Sequence, residues 1–222
     1  MTRPTAFVTG GTGYMGRRLI PRLVTRGYEV HALVRHGSEN KLPPGAIAVV
    51  GNVLDAATFA GRIPRDAVVV HLVGTPRPSP AKAAEFEAVD LVSARECIAA
   101  ARTAGAKHFV YVSVAQPAPI MRAYVAVRAR GEAILRESGI PHTILRPWYV
   151  LGPGHRWAYL LIPLYWYWNA TPSTRDTAQR LGLLTLDQML SALTWAVTTA
   201  TQETRLLEVP SIRRFSSKAP LN

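Results

Sequence analysis

The 222-residue sequence has one cysteine, Cys97, set in an apolar, alanine-rich stretch. A single thiol excludes an internal disulfide and any cysteine-based metal site, and it points to a reducing compartment. Acidic residues are scarce, 14 Asp and Glu against 26 Lys and Arg, for a formal charge of +12. Lysine is scarce too. Only Lys41, Lys82, Lys107 and Lys218 occur, and the other basic residues are arginines dispersed from Arg3 to Arg214 without a polybasic run. Such dispersal argues against nucleic acid as a partner, since nucleic-acid surfaces cluster their cations, yet it still favours a smaller anion. Long apolar runs are missing as well: none approaches the roughly 18 residues of a membrane span. The N-terminal MTRPTAFVTGG has too short an apolar core for a signal peptide. The expectation is a cytoplasmic protein with no membrane span, peripheral contact being open only to the aromatic segment Trp157 to Trp168.

What is present is 48% hydrophobic residues, enough for a real core at this length. Short β-branched runs alternate with helical patterns, which is the pattern of an α/β protein with a parallel sheet. Strands are predicted at Thr5–Thr9, Glu29–Val34, Ala46–Val50, Ala67–Val73, Lys107–Ser113, Pro141–Arg146 and Arg205–Val209. Helices are predicted over Tyr14–Arg26, from Ser79-Pro80 to about Thr103, over Arg122–Glu137, and from the Thr185/Gln188 capping box to about Thr199. The almost wholly apolar run Ala67 to Val73 reads as a central strand covered on both faces. The tail from Ser211 is expected to fray.

Between the first strand and first helix lies Gly10-Gly11-Thr12-Gly13-Tyr14-Met15-Gly16. Glycines there permit a tight turn and a close approach of backbone N–H groups to a pyrophosphate, with the helix N-terminus supplying partial positive charge. Gly10, Thr12, Gly13, Tyr14, Met15 and Gly16 are therefore candidate cofactor-binding residues. At the end of the second strand stands Arg35, where a carboxylate would accept from a ribose diol and an arginine instead pairs a 2′-phosphate. NADP(H) is thus expected over NAD(H), with Arg17 or Arg18 adding charge. Asn52, followed by Val53 at the end of the third strand, offers an amide and a carbonyl to adenine.

The ordered motifs Thr9 to Gly16 (TGGTGYMG), His71 to Gly74 (HLVG), Phe109 to Ser113 (FVYVS), Tyr124-x-x-x-Arg128 and Thr143 to Pro147 (TILRP), followed by Tyr149 to Pro153 (YVLGP), resemble the short-chain dehydrogenase/reductase superfamily in its extended, atypical branch. Within that branch the chain looks most like NAD(P)H-binding proteins of the complex I 39-kDa-subunit and nitrogen-metabolite-repression-regulator types. The resemblance implies a doubly wound parallel-sheet Rossmann fold, with a cofactor-binding domain over 1–154 and a short C-terminal substrate or lid region over 155–222. It implies that Leu72, Val73, Gly74 and Thr75 lie near the adenosine ribose and phosphates, and that Pro147 and Val150 line the nicotinamide side. In working members a tyrosine exchanges the proton and a lysine four residues on holds the cofactor ribose and lowers the tyrosine pKa, so that Arg128 at that position is a candidate cofactor-binding residue as well. Tyr124 matches that tyrosine, whereas Arg128 replaces the lysine; a guanidinium stays protonated but can still stabilise a tyrosinate. Ser113 would orient a substrate carbonyl.

His31, His71 and His108 show no metal-ligand spacing and are expected to be polar tips at strand ends, so no metal site is expected. Trp148, His155, Arg156 and Trp157, beside further aromatics up to Trp168, are candidates for holding a flat or lipophilic anionic substrate. The expected function is NADPH-dependent reduction of a small or lipophilic carbonyl or quinone. The alternatives are a non-catalytic NADP(H)-binding sensor or assembly protein and, ranked lower, a nucleotide-sugar epimerase or dehydratase. The 70 residues after Gly152 leave little chain to enclose a nucleotide sugar.

Overall fold

In the computed structural model the described residues are 3–153, 171–200 and 202–215. Seven parallel strands form the central sheet: β1 (Thr5–Thr9), β2 (Glu29–Val34), β3 (Ala46–Val50), β4 (Val68–His71), β5 (His108–Val112), β6 (His142–Arg146) and β9 (Arg205–Glu208). Their order is β3-β2-β1-β4-β5-β6-β9. The chain therefore winds outward from β1 through β2 and β3, returns to β4, and winds the other way. This is a doubly wound Rossmann-like sheet, and its topological switch lies between β1 and β4, where such sheets open a crevice beyond the carboxyl ends of their strands. A small second sheet pairs β7 (Tyr149–Leu151) with β8 (Leu183–Thr185).

Strand alternation explains the two cores. Ala6, Val8, Val68 and Val70 face one side, where Leu19, Ile20 and Leu23 of α1 (Gly16–Thr25) meet Leu190, Leu193 and Val197 of α6 (Leu186–Thr198). Phe7, Val69, Phe109 and Ile144 face the other, under Cys97, Ile98 and Ala101 of α3 (Val92–Ala104) and Leu135 of α4 (Arg122–Glu137). Because both faces are buried, β4 has no polar face; its burial is complete from Val68 to His71.

The start of α6 follows from its sequence: the Thr185 hydroxyl accepts from the Gln188 amide at 3.1 Å, and the Gln188 side chain accepts from the Thr185 amide at 2.9 Å. Gly105 ends α3 at φ +70, in the left-handed region that favours glycine.

Four expectations need correction. The helix predicted from Ser79 is not continuous. A 3₁₀ turn, Pro80–Lys82, leads into the short α2 (Ala83–Glu85), then a π-helical stretch, Phe86–Leu91, before α3; Ser79 makes no side-chain cap. The strand predicted to Val73 ends at His71 because its last ladder partner is the end of β1. The start of the tail expected to fray from Ser211 is ordered: α7 (Val209–Ile212) follows β9 directly and buries Val209 and Ile212, and the residues after Phe215 lie outside the described ones. Neither β7, β8 nor α5 (Pro172–Arg180) was anticipated. Gly154, His155, Arg156 and the aromatic segment Trp157 to Trp168 lie outside the described residues. Among the described residues no helix is long and apolar enough to cross a membrane.

Candidate active site

The glycine loop closes tightly over the crevice at the switch point. Gly10 has φ +74, and a Cβ there would lie 3.0 Å from the Leu72 carbonyl carbon and 3.2 Å from the Val73 nitrogen, so the loop presses on the end of β4. The Gly13 amide donates to the Gly10 carbonyl at 2.9 Å, making the turn. At Gly16 a Cβ would run into the Gly10 carbonyl oxygen and come within 2.7 Å of Gly11 Cα. Only glycine lets the first turn of α1 pack on the loop. That helix begins at Met15 without a side-chain cap and without an acidic residue in its first turn. An uncapped helix start behind a tight, side-chain-free loop fits a dinucleotide pyrophosphate, because the terminal N–H groups and the helix dipole favour an anion there.

Of the residues flanking that loop, Thr12 and Met15 are half-buried and Gly13 is exposed. The Tyr14 hydroxyl reaches the Gly152 turn, where any Cβ would collide with it, so the YVLGP segment and the glycine loop meet. Arg18 is not free to serve a phosphate: its Nη1 donates to the Tyr14 carbonyl at 2.8 Å and its guanidinium lies 4.5 Å from the Tyr14 ring centroid. Arg17 is exposed and lines a shallow groove with Leu186 and Leu190. Arg35 is exposed just past β2, with no side-chain partner among the described residues and no acid at the strand end. Asn52 is exposed, but its Oδ1 already accepts from the Leu54 amide at 3.1 Å, which leaves its amide group as the readier partner for an adenine. Val53 is half-buried against the second core.

Beyond β4, Leu72 and Val73 are half-buried, Gly74 is exposed and Thr75 is buried. The Asp90 carboxylate, itself fully buried, organises this turn. Its Oδ2 accepts from the Thr75 amide at 3.0 Å and from the Thr75 hydroxyl at 2.6 Å, and its Oδ1 accepts from Arg128 Nη2 at 2.5 Å. Arg128 is 4% exposed and also donates to the Val112 carbonyl at 3.0 Å and the Val73 carbonyl at 3.4 Å. Burial alone would lower its pKa, but the facing Tyr124, Tyr111 and Asp90 groups drive it above the usual guanidinium value, so the charge stays.

Tyr124 is half-buried, its ring 5.0 Å from that of Phe86 and its centroid 5.3 Å from the Arg128 guanidinium carbon. The pair predicted from the Tyr124-x-x-x-Arg128 spacing is therefore brought together, since positions four apart share a helix face. Ser113, in contrast, is 3% exposed and donates its hydroxyl to Glu132 Oε1 at 2.6 Å. With its proton so engaged, Ser113 offers a ligand lone pairs and no donor, which departs from the carbonyl-orienting role expected of it.

Glu132, fully buried on α4, also accepts from Gln116 at 2.7 Å, from Arg146 at 2.9 and 2.6 Å, and from Arg136 at 2.7 Å. Burial would raise its pKa, but the hydrogen bonds from Arg146, Ser113 and Arg136 outweigh that and hold it below the usual carboxylate value. Pro147 is buried, its carbonyl accepting from the Ala115 amide at 2.9 Å, and Trp148 and Val150 are half-buried against the α1–α6 core.

Asp90 and Glu132 were both missed. A signal was available: Phe86, Asp90, Ser93 and Cys97 fall on one helical stripe and all four are buried, so an acid on an otherwise core-facing stripe requires a buried partner. His71 and His108, expected as polar tips at strand ends, are fully buried there with hydroxyl partners. His71 Nδ1 lies 2.9 Å from the Thr9 hydroxyl and Nε2 lies 3.4 Å from that of Ser93; His108 Nε2 lies 2.9 Å from the Thr143 hydroxyl. Burial, aided by the Arg128 charge, pushes the His71 imidazole down to about 3, and it stays neutral. Among the described residues no group of three His, Cys, Asp or Glu side chains is placed to hold a metal ion.

A tight glycine loop at the switch point of a doubly wound parallel sheet defines a dinucleotide-binding protein, and comparison with known proteins agrees. Residues 10–156 match the NAD(P)H-binding family, and the chain belongs to it, within the extended, atypical branch of the short-chain dehydrogenase/reductases. It is 29% identical over 154 residues to a ceramide reductase of Caulobacter vibrioides, covering 68% of this chain and 48% of that protein. It is 28% identical over 168 residues to a 4-hydroxy-2-methyl-3-oxo-4-farnesyl-3,4-dihydroquinoline-1-oxide ketoreductase of Stigmatella aurantiaca, covering 66% and 50%. A photosystem II assembly factor of Trieres chinensis is 30% identical over 142 residues, covering 63% and 44%. The chain thus spans about half the length of these relatives. Among solved structures, the Bordetella bronchiseptica enzyme WbmH in complex with NAD+ superposes with a TM-score of 0.68 at 18% identity, covering 93% of this chain and 75% of that one; this likeness establishes the fold alone.

Proposed function

We propose that the protein is an NADP(H)-dependent reductase of a lipophilic ketone or quinone, with the dinucleotide held by the glycine loop, the start of α1 and Arg35. The observation that carries the cofactor preference is Arg35: an exposed guanidinium past β2, without a side-chain partner among the described residues, where the strand end offers no acid to accept from a ribose diol. The names of the two reductase relatives, acting on a ceramide and on a farnesylated dihydroquinoline oxide, support the lipophilic substrate. The dinucleotide, when bound, would supply the hydride for the carbonyl carbon. Tyr124 donates its hydroxyl proton to the carbonyl oxygen, so the carbonyl becomes an alcohol and the tyrosine a tyrosinate. Arg128, beneath the ring, stabilises that anion and cannot itself relay a proton. Tyr124 is only half-buried, and solvent resupplies the proton.

The test is a titration of NADPH and NADH against wild type and Arg35→Asp, followed by turnover of a ketone and quinone panel. Arg35→Asp is expected to weaken NADPH roughly tenfold or more, the worth of one charge-assisted contact, and to leave NADH no weaker, since the new carboxylate can accept from its ribose diol. Equal affinities of the wild type for the two dinucleotides would refute the preference. Tyr124→Phe is expected to lower kcat by about two to four orders of magnitude with NADPH affinity retained, the scale of general-acid catalysis. A second reading has its own observation. Ser113 and Arg128 are both drawn into buried networks, which suits a non-catalytic NADP(H)-binding partner protein; it predicts binding without turnover of any panel member.

A further inference from the structure

We propose that Asp90 is a positioning residue that, through Thr75 and Arg128, sets the turn Val73–Thr75 against which the dinucleotide rests. The inference depends on cofactor binding in the β1–β4 crevice. That turn forms one wall of the crevice, as the approach of Gly10 to Leu72 and Val73 shows. Both Asp90 oxygens are used on it or on its support: Oδ2 takes the amide and hydroxyl of Thr75, and Oδ1 takes Arg128, whose remaining donors reach the carbonyls of Val73 and Val112. One buried carboxylate therefore ties the ends of β4 and β5 together. Gly74 fits between them only because it lacks a side chain; a Cβ there would collide with Arg128 Nη2 and lie 3.1 Å from Asp90 Oδ1.

Three features favour positioning over stability alone. A buried ion pair seldom stabilises more than an apolar pair of the same size, so holding a geometry is the better account of its presence. Asp90 lies in the π-helical stretch Phe86–Leu91, and such local widening is rare and found mostly at functional sites. The same helix also reaches the other wall of the crevice. The Ser93 hydroxyl donates to the Asp90 carbonyl at 3.3 Å and lies 3.4 Å from His71, which in turn meets Thr9, the residue before Gly10.

The experiment measures affinity for NADPH and NADH by nicotinamide fluorescence, with the melting temperature of each unliganded variant measured in parallel. Thr75→Val removes only the hydroxyl contact to Asp90 and keeps the backbone one. It is expected to weaken both dinucleotides equally, by roughly tenfold, with little change in Tm, and Thr75→Ser is expected to restore the affinity. Asp90→Asn is expected to weaken both by at least as much; if it fails to fold, the Thr75 pair carries the test. Wild-type affinity in Thr75→Val, or Thr75→Ser binding as weakly as Thr75→Val, overturns the inference. A wild type that binds neither dinucleotide overturns the reading of the crevice and this inference with it.

Discussion

Glu132→Gln probes the buried network that holds Ser113. The substitution keeps the shape but replaces one carboxylate oxygen by an amide. Placed at Oε2, the amide confronts Arg146 Nη2 at 2.6 Å and Arg136 Nη2 at 2.7 Å, donor against donor; placed at Oε1, it confronts Ser113, Gln116 and Arg146 Nε. No orientation satisfies the site. Arg136 is 47% exposed and contributes little after screening, whereas the Arg146 side chain is 15% exposed and, among the described residues, keeps Glu208 at 3.4 Å as its one remaining carboxylate. Removing one member of a buried pair costs about 3–5 kcal/mol, and the remaining Glu208 contact sets the lower end, about 3 kcal/mol. For a chain of this size that corresponds to a fall in Tm of about 6–12 °C at neutral pH.

The pH dependence has a definite sign. Because the Glu132 pKa is held below its unfolded value, its contribution is fully present above the unfolded carboxylate range and is lost as pH falls through the folded value. Differential scanning fluorimetry from pH 7 to pH 3 should show the gap between wild type and variant closing on the acid side. A variant within 1 °C of wild type at pH 7, or a gap that does not close, would refute the assignment of the network.

Two further outcomes are expected. Gly16→Ala puts a methyl group into the Gly10 carbonyl, so the loop must shift; a Tm loss of several degrees and a dinucleotide affinity reduced at least tenfold, read by the same fluorescence titration, check this. His71 has a pKa lowered to about 3 in the fold, so the folded state resists protonation and stability falls as pH drops from about 6.5 toward 3. His71→Asn, which cannot titrate, should flatten the Tm slope between pH 7 and 5, and an unchanged slope would assign that slope to other groups.

Much of the fold was legible in the sequence because its signals are local. β1, β2, β3 and α4 fall where apolar alternation, helical periodicity and glycine stops placed them, and the Thr185/Gln188 capping box starts α6 as its spacing required. The glycine loop was legible for the same reason: the turn, the uncapped helix start and the missing side chains are properties of seven consecutive residues. The contact between Tyr124 and Arg128 follows from their four-residue spacing on α4, the motif by which the chain resembles its family.

What the sequence could not supply is which polar side chains find one another inside the sheet layers. Asp90 and Arg128 are 38 residues apart, and Ser113 and Glu132 are 19 apart. Burial in a low-dielectric interior decides their partners, because an unpaired charge there is too costly to leave. Tertiary packing thereby gave Arg128, beside the Tyr124 ring, a buried partner in Asp90, and gave the Ser113 proton to a carboxylate. The chain's own pattern determined a dinucleotide-binding sheet; the fold decided what its conspicuous serine and arginine are free to do.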